Sequence, residues 1–447
     1  MTLPARAATS DTVTPEMFGA KGDGRTNDTR AFAALSAHVN ARGGGTVVLR
    51  PVTYIVGEQS ATGPYAFSPA DILHFDGCRG PVVVRGNGAT LRCAPGLRYG
   101  GFDRSGRALP DARANMQLQN RAVPYTGMIF AENCTGLVDI SDVTLDGNLG
   151  ALQVGGRYDR RGWQAGASGI RMIRNKGPER ISRVRSHHHA QDGLLLTAAM
   201  DRTGSTTVTD TVCDFNARQG CTISSGSNFV FERCSFRQTG LAPPLYRSLP
   251  GAGVDVEAEK ASVRNVAFSA CDFTDNAGIG LDAVSDVADM TFDSCKFIGS
   301  KNWSAWPAKP GMRFNNCLFL GTLRYLYGDP DPSRAPQFHG CTFTDDPALS
   351  PTGKVFLGQG RGTWIALAQK AQNARFTQCH FRLVGEGLLP LSDASVIYED
   401  CDMSQRSPAP SAPRGTYLGT NRISGNVRLE GSIIRGTVLL NGRPVVG

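Results

Sequence analysis

Four segments of the chain superimpose on a glycine followed by alternating apolar residues. They are Asp192-Gly193-Leu194-Leu195-Leu196-Thr197, Gln219-Gly220-Cys221-Thr222-Ile223-Ser224, Ala252-Gly253-Val254-Asp255-Val256-Glu257 and Ala277-Gly278-Ile279-Gly280-Leu281-Asp282, with an earlier copy at Gly169-Ile170-Arg171-Met172-Ile173. Positions one and three after the glycine are apolar in every copy. In a strand they turn inward, and positions two and four turn outward. One outward file then runs Arg171, Leu195, Thr222, Asp255, Gly280, and the other Ile173, Thr197, Ser224, Glu257, Asp282. If the copies lie on adjacent parallel strands about 4.8 Å apart, Asp255, Glu257 and Asp282 form one acidic patch. On this alignment Glu257 and Asp282 are direct neighbours, and Asp255 lies roughly 7 Å along the strand from Glu257. Glycoside hydrolysis needs such a pair, a proton donor and a second carboxylate, about 5–5.5 Å apart in retaining and about 6.5–9.5 Å in inverting enzymes. Crowding also raises one carboxyl pKa, which keeps an acid protonated near neutral pH. The patch could instead hold a cation such as calcium, or be a solvated acidic face. Like charges on neighbouring strands are unfavourable unless offset, which argues for a function. Catalytic roles are therefore expected of Asp255, Glu257 and Asp282, with Gly280 leaving room for a sugar ring.

Other polar residues fall beside these files. His187-His188-His189 precedes Asp192. Alternation sends at least one imidazole outward, and His189 is the one expected to meet a sugar hydroxyl or act as a base. Neighbours along a strand diverge, so three shared metal ligands are not expected there. Arg171 and Arg218 are suited to an acidic sugar. Asp192 opens its turn, and Asn216 and Asn276 read as turn formers. Two insertions enter just before aligned glycines, residues 150–168 with Trp163 and residues 238–251 with Tyr246. They are expected to wall the groove, their aromatic faces stacking on sugar rings. With these, the expected substrate-binding residues are His189, Asp192, Arg171, Arg218, Trp163 and Tyr246.

The elements that must position these groups repeat. Aromatic-x-x-Cys-x-aromatic recurs at Phe231-Cys234-Phe236, Phe268-Cys271-Phe273, Phe292-Cys295-Phe297, Phe314-Cys317-Phe319, Phe338-Cys341-Phe343 and Phe376-Cys379-Phe381, with weaker copies at Cys213 and Cys401. Successive cysteines lie 21, 37, 24, 22, 24, 38 and 22 residues apart, a basal period with two long insertions. Strand-like alternation in each unit, and no helix between units, predicts an all-β, single-stranded parallel β-helix. Its cysteines stack as a buried ladder of small side chains rather than pairing as disulfides. One helix is expected from Asn27 or Asp28 through Ala41, with Ala31, Phe32, Leu35 and Val39 on one face and Gly43 ending it, closing the open end of the solenoid.

The opening of the chain carries a resemblance. Phe18-Gly19-Ala20-Lys21-Gly22-Asp23-Gly24, Asn27-Asp28-Thr29, Ala31-Phe32, Gly43-Gly44-Gly45-Thr46-Val47 and Tyr54-Ile55-Val56-Gly57 resemble the start of the pectate-lyase-like superfamily of polygalacturonase-like hydrolases, polysaccharide lyases and tailspikes. The resemblance implies a right-handed β-helix acting on carbohydrate, outside the cytoplasm. The polygalacturonase set Asn-Thr-Asp, Asp-Asp, Gly-His-Gly, Arg-Ile-Lys is absent, so pectin hydrolysis does not follow.

The totals agree. The 447 residues carry a net charge of +8 without a dense Lys/Arg run, so nucleic acid is not the expected partner. No run of 18 apolar residues exists to span a membrane. The expected organisation is a flexible N-terminus or signal scar over 1–10 and one parallel β-helix domain over 11–447. That domain divides into an N-terminal cap at 11–57, coils with loop insertions at 58–403 and a final coil or cap at 404–447. The expected function is a glycoside hydrolase cleaving an acidic polysaccharide, secreted or periplasmic, monomeric or trimeric, with no cofactor unless calcium. Two alternatives stay open: a lyase or uronate epimerase working through His189, Arg171 and Arg218, and a tailspike-like glycan binder without turnover.

Overall fold

The computed structural model describes residues 12–110, 117–156, 165–243, 247–358 and 363–445, with the backbone alone at 259 and 260. It is nearly all β, with one α-helix, α1 (Thr29–Arg42), among the described residues. The motif-rich opening ties this helix to the strand Thr53–Val56. The Asp28 carboxylate accepts from the amides of Lys21 (2.7 Å) and Gly22 (3.0 Å). Asn27 donates to the Gly57 carbonyl (2.8 Å), and the Thr29 hydroxyl accepts from the Gly57 amide (2.7 Å). Asp28 stands at the N-cap position without a side-chain bond to the helix, and the Asn27 side chain accepts from the Thr29 amide at 3.0 Å. Phe32, Leu35 and Val39 are buried in the same apolar core as Tyr54 and Leu73.

After this segment the chain winds through three series of strands, each pairing in parallel with its counterpart one coil on. The first series bears the acidic patch: β1 (Leu73–Asp76), β2 (Gly127–Glu132), β3 (Ser168–Ile173), β4 (Asp192–Thr197), β5 (Gln219–Glu232), β6 (Ala252–Ser269) and β7 (Leu281–Val287). These pair in chain order. β5 and β6 run on into the second series, where Phe229–Glu232 pairs with Val266–Ser269. The third series continues to Thr437–Leu440, where the chain turns back antiparallel at Arg443–Pro444.

The repeat residues fill the interior. Phe231, Phe268, Phe292, Phe314, Phe338, Phe376, Tyr398 and Tyr417 stack with ring centroids 4.6–5.3 Å apart. A second file, Phe236, Phe273, Phe297, Phe319, Phe343 and Phe381, stacks at 4.6–5.7 Å. All twelve cysteines are free and buried. From Cys271 to Cys401 each thiol lies 3.2–3.6 Å from the carbonyl of the repeat phenylalanine one coil back, at the bend between the second and third series. A small, weakly donating side chain suits a corner where that carbonyl crowds in. Among the described residues no helix is long and apolar enough to cross a membrane.

Candidate active site

The glycines of the first series are fixed by crowding. A Cβ on Gly169, Gly193, Gly220 or Gly253 would stand 2.5–2.8 Å from the carbonyl oxygen of the glycine one coil on, the last of these being Gly280. The glycine equivalent to Gly253 is thus Gly280 rather than Gly278, which corrects the register expected from sequence. Asp255 pairs with Asp282, and Glu257 with Val284. Either frame leaves apolar residues inward, Ile279 and Leu281 or Leu281 and Ala283, so alternation did not discriminate between them. One outward file now runs His74, Phe130, Arg171, Leu195, Thr222, Asp255, Asp282. Asp255, Glu257 and Asp282 still share one face, because Val254, Val256 and Leu281 point into the core.

Burial sets the charges in this patch. Asp255 is 2% exposed and Asp192 fully buried. Arg218, itself 5% exposed, lies between the carboxylates, with Nη1 3.5 Å from Asp192 Oδ2 and Nη2 3.1 Å from Glu257 Oε2. Its Nη1 also donates to Gln219 Oε1 at 2.7 Å. That contact turns the Gln219 amide nitrogen toward Asp255, where it donates to Oδ2. The Thr222 hydroxyl sits between Asp192 Oδ2 (3.0 Å) and Gln219 Oε1. Oδ1 of each of Asp192, Asp255 and Asp282 is buried with no hydrogen-bond partner among the described residues.

Burial, then the charges of Asp282 and Glu257, push the Asp255 carboxyl well above the carboxylate range, with Arg218 opposing. Burial likewise raises Asp282, against Arg324. Asp192 is pushed up to about 6 by burial, against Arg218 and the Thr222 hydrogen bond. For Arg218, burial works against the charge, but Asp192, Asp255 and Glu257 outweigh it and hold the guanidinium firmly ionised. Oδ2 of Asp255 accepts from Gln219, so a proton on this carboxyl belongs on the unpartnered Oδ1.

Other expected residues are placed differently. His189 is buried, not outward: Nδ1 meets the Tyr125 hydroxyl at 2.8 Å, and burial lowers its pKa to about 3. The preceding His188 has a left-handed backbone (φ 55°), which breaks the alternation and turns His189 into the core. Arg218 is closed off by its ion pairs and braces the carboxylates instead of facing a sugar. Asn216 and Asn276 are buried braces, accepting from the His189 and Thr239 amides at 3.0 Å. Arg171 remains partly accessible in the outward file, its guanidinium 5.2 Å from the Phe130 ring centroid and its Nε without a partner among the described residues. Phe130 in turn stacks flat on His74 at 4.5 Å. At the other end Arg324 covers Trp306 at 3.9 Å. Trp163 and Tyr246 lie outside the described residues. Sequence reasoning missed Gln219, although the residue before the aligned glycine reads Asp192, Gln219, Ala252, a file polar at its first two positions.

No family model matches the sequence, and no curated protein matches it. Solved structures do resemble it. The N-terminal fragment of bacteriophage Phi29 gene product 12 superposes with a TM-score of 0.52 at 13% identity, over 97% of this chain and 73% of that one. The Azotobacter vinelandii mannuronan C-5 epimerase AlgE4 A-module gives 0.49 at 16%, over 95% and 99%. The tailspike protein gp49 of Acinetobacter baumannii bacteriophage Fri1, a capsular polysaccharide depolymerase, gives 0.49 at 13%, over 96% and 65%. The fold is that of the pectate-lyase-like parallel β-helix proteins.

Proposed function

We propose that the chain is a carbohydrate-active enzyme, a glycoside hydrolase that cleaves an acidic polysaccharide laid along the first strand series. Asp255 is the proton donor and Asp282 the second carboxylate. Glu257, held by Arg218, adds the negative charge that keeps Asp255 protonated. The observation that carries this reading is the pairing of Asp255 with Asp282 on adjacent rungs, each with a buried oxygen left unpartnered among the described residues. Rungs about 4.8 Å apart suit the separation of about 5–5.5 Å at which the second carboxylate acts as nucleophile, so the reaction retains the anomeric configuration. In the first step the Asp282 carboxylate attacks the anomeric carbon while Asp255 Oδ1 protonates the departing glycosidic oxygen. In the second, Asp255 takes a proton from water, which releases the sugar from Asp282. Arg171 and the His74–Phe130 stack serve as sugar subsites. The same reading takes the coils as one right-handed, single-stranded domain closed at its N-terminal end by α1, and has the protein working outside the cytoplasm.

A panel of acidic and neutral polysaccharides, assayed for new reducing ends and for ultraviolet absorbance, tests this. Hydrolysis releases reducing ends without absorbance, and proton NMR of the first product finds the retained anomer. Unsaturated, absorbing products would point to a lyase instead. Binding without turnover would point to a tailspike-like receptor.

A further inference from the structure

We propose that Asp146, His187 and His188 form a binding site for a divalent transition-metal ion of the zinc type, apart from the carboxylate patch. Asp146 ends the strand Val138–Asp146 and pairs in register with His187, at the end of Arg185–His187 one coil on. Side chains of successive strand residues diverge, so adjacent histidines ordinarily cannot share an ion. The left-handed backbone of His188 removes that obstacle. It brings the Nδ1 atoms of His187 and His188 to 2.7 Å from each other, with Asp146 Oδ1 3.8 Å from His187 Nδ1. One ligand atom from each of the three residues falls within 4.8 Å of the others. Metal–nitrogen bonds of about 2.0–2.1 Å in a tetrahedral site put ligand atoms about 3.3 Å apart, so small ring rotations suffice to seat the ion.

The surroundings hold the three side chains in place. Arg92 Nε (2.8 Å) and the Asn148 amide (2.8 Å) donate to the Asp146 carboxylate and fix its orientation. On the next rung Asp214 is already matched by Arg185 (3.0 Å) and Arg237 (3.6 Å), so neither arginine points a free charge at the site. His188 is braced flat against Phe215 at 5.1 Å. Both histidines are only partly buried, so an ion enters from solvent and finds three protein ligands with a fourth position open to water. Imidazole and carboxylate donors suit zinc, nickel or copper better than calcium. Because the ligands come from two coils, the ion would staple them together.

Zinc titrated calorimetrically into the full chain in a non-chelating buffer should show one saturable site per chain and a raised melting temperature. H187Q and H188Q should each weaken binding at least tenfold and abolish the thermal shift, while H74Q leaves both unchanged. Cobalt should give visible d–d bands without the near-ultraviolet charge-transfer band of thiolate ligation, which separates this site from the buried cysteines. That spectrum needs only the wild-type chain, so the test holds even if a variant misfolds. Absence of saturable binding by the wild type, unchanged binding by H188Q, or a thiolate band would each overturn the proposal.

Discussion

Asp192 and Asp255 share a functional group and a sheet, yet their surroundings give them different work. Asp192 is buried against Arg218 and Thr222, and its pKa of about 6 reflects burial only partly offset by those partners. Its neutral form is the one favoured by folding. As pH rises from the unfolded carboxylate value toward about 6, the native state holds a proton that the unfolded chain has lost, and stability declines. Asp192→Asn does not titrate. Urea unfolding at a series of pH values should therefore find the variant gaining on the wild type between about pH 4 and 6, with a constant difference above that window. A difference independent of pH would mean that Asp192 is ionised throughout. At this scale the sequence was informative about residue types and silent about depth. It placed Asp255, Glu257 and Asp282 on one face. It also sent His189 outward and opened Arg218 to a ligand, because alternation says nothing of a left-handed residue upstream or of an arginine folded back over its own sheet.

The repeating elements were legible because their signal is chemical. The aromatic-Cys-aromatic period marks a stack in which each ring finds its equivalent one coil on, and the stacked files follow that period. Phe292 is fully buried between Phe268 and Phe314, with Phe273 and Phe297 edge-on. Phe292→Ala should cost about 3–5 kcal/mol in chemical denaturation, the range for removing a buried aromatic from a close-packed core. A cost under about 1 kcal/mol would mean that the coils collapse around the gap. Register was less legible than period. Ala277-Gly278-Ile279-Gly280 offers two glycines, and only the carbonyl of Gly280 lying against Gly253 decides between them. That two-residue shift exchanges Glu257 for Asp255 as the rung partner of Asp282. The opening motif, by contrast, is a set of side chains that staple α1 to the strand behind it, so its residues are fixed one by one.

Over the whole molecule, the parallel register turns one outward file into a lane from His74 to Asp282, six rungs or roughly 29 Å long. Arg171 lies three rungs from Asp255, about 14 Å, a distance that a polysaccharide spans and a disaccharide does not. In the proposed reaction, kcat/KM should therefore rise with the length of an acidic oligosaccharide until the chain reaches Arg171. Arg171→Met should flatten that rise by raising KM about 10- to 100-fold on long substrates only, as expected for losing a charge-assisted contact. An equal effect on short and long substrates would remove Arg171 from the lane. Whether Asp255 and Asp282 act as one pair is tested by reducing-end release from the preferred acidic glycan by wild type, D255N and D282N at matched folding. Loss of about 10²-fold or more in kcat for each variant, with glycan binding retained, is the predicted result. Turnover by either variant at the wild-type rate would contradict it.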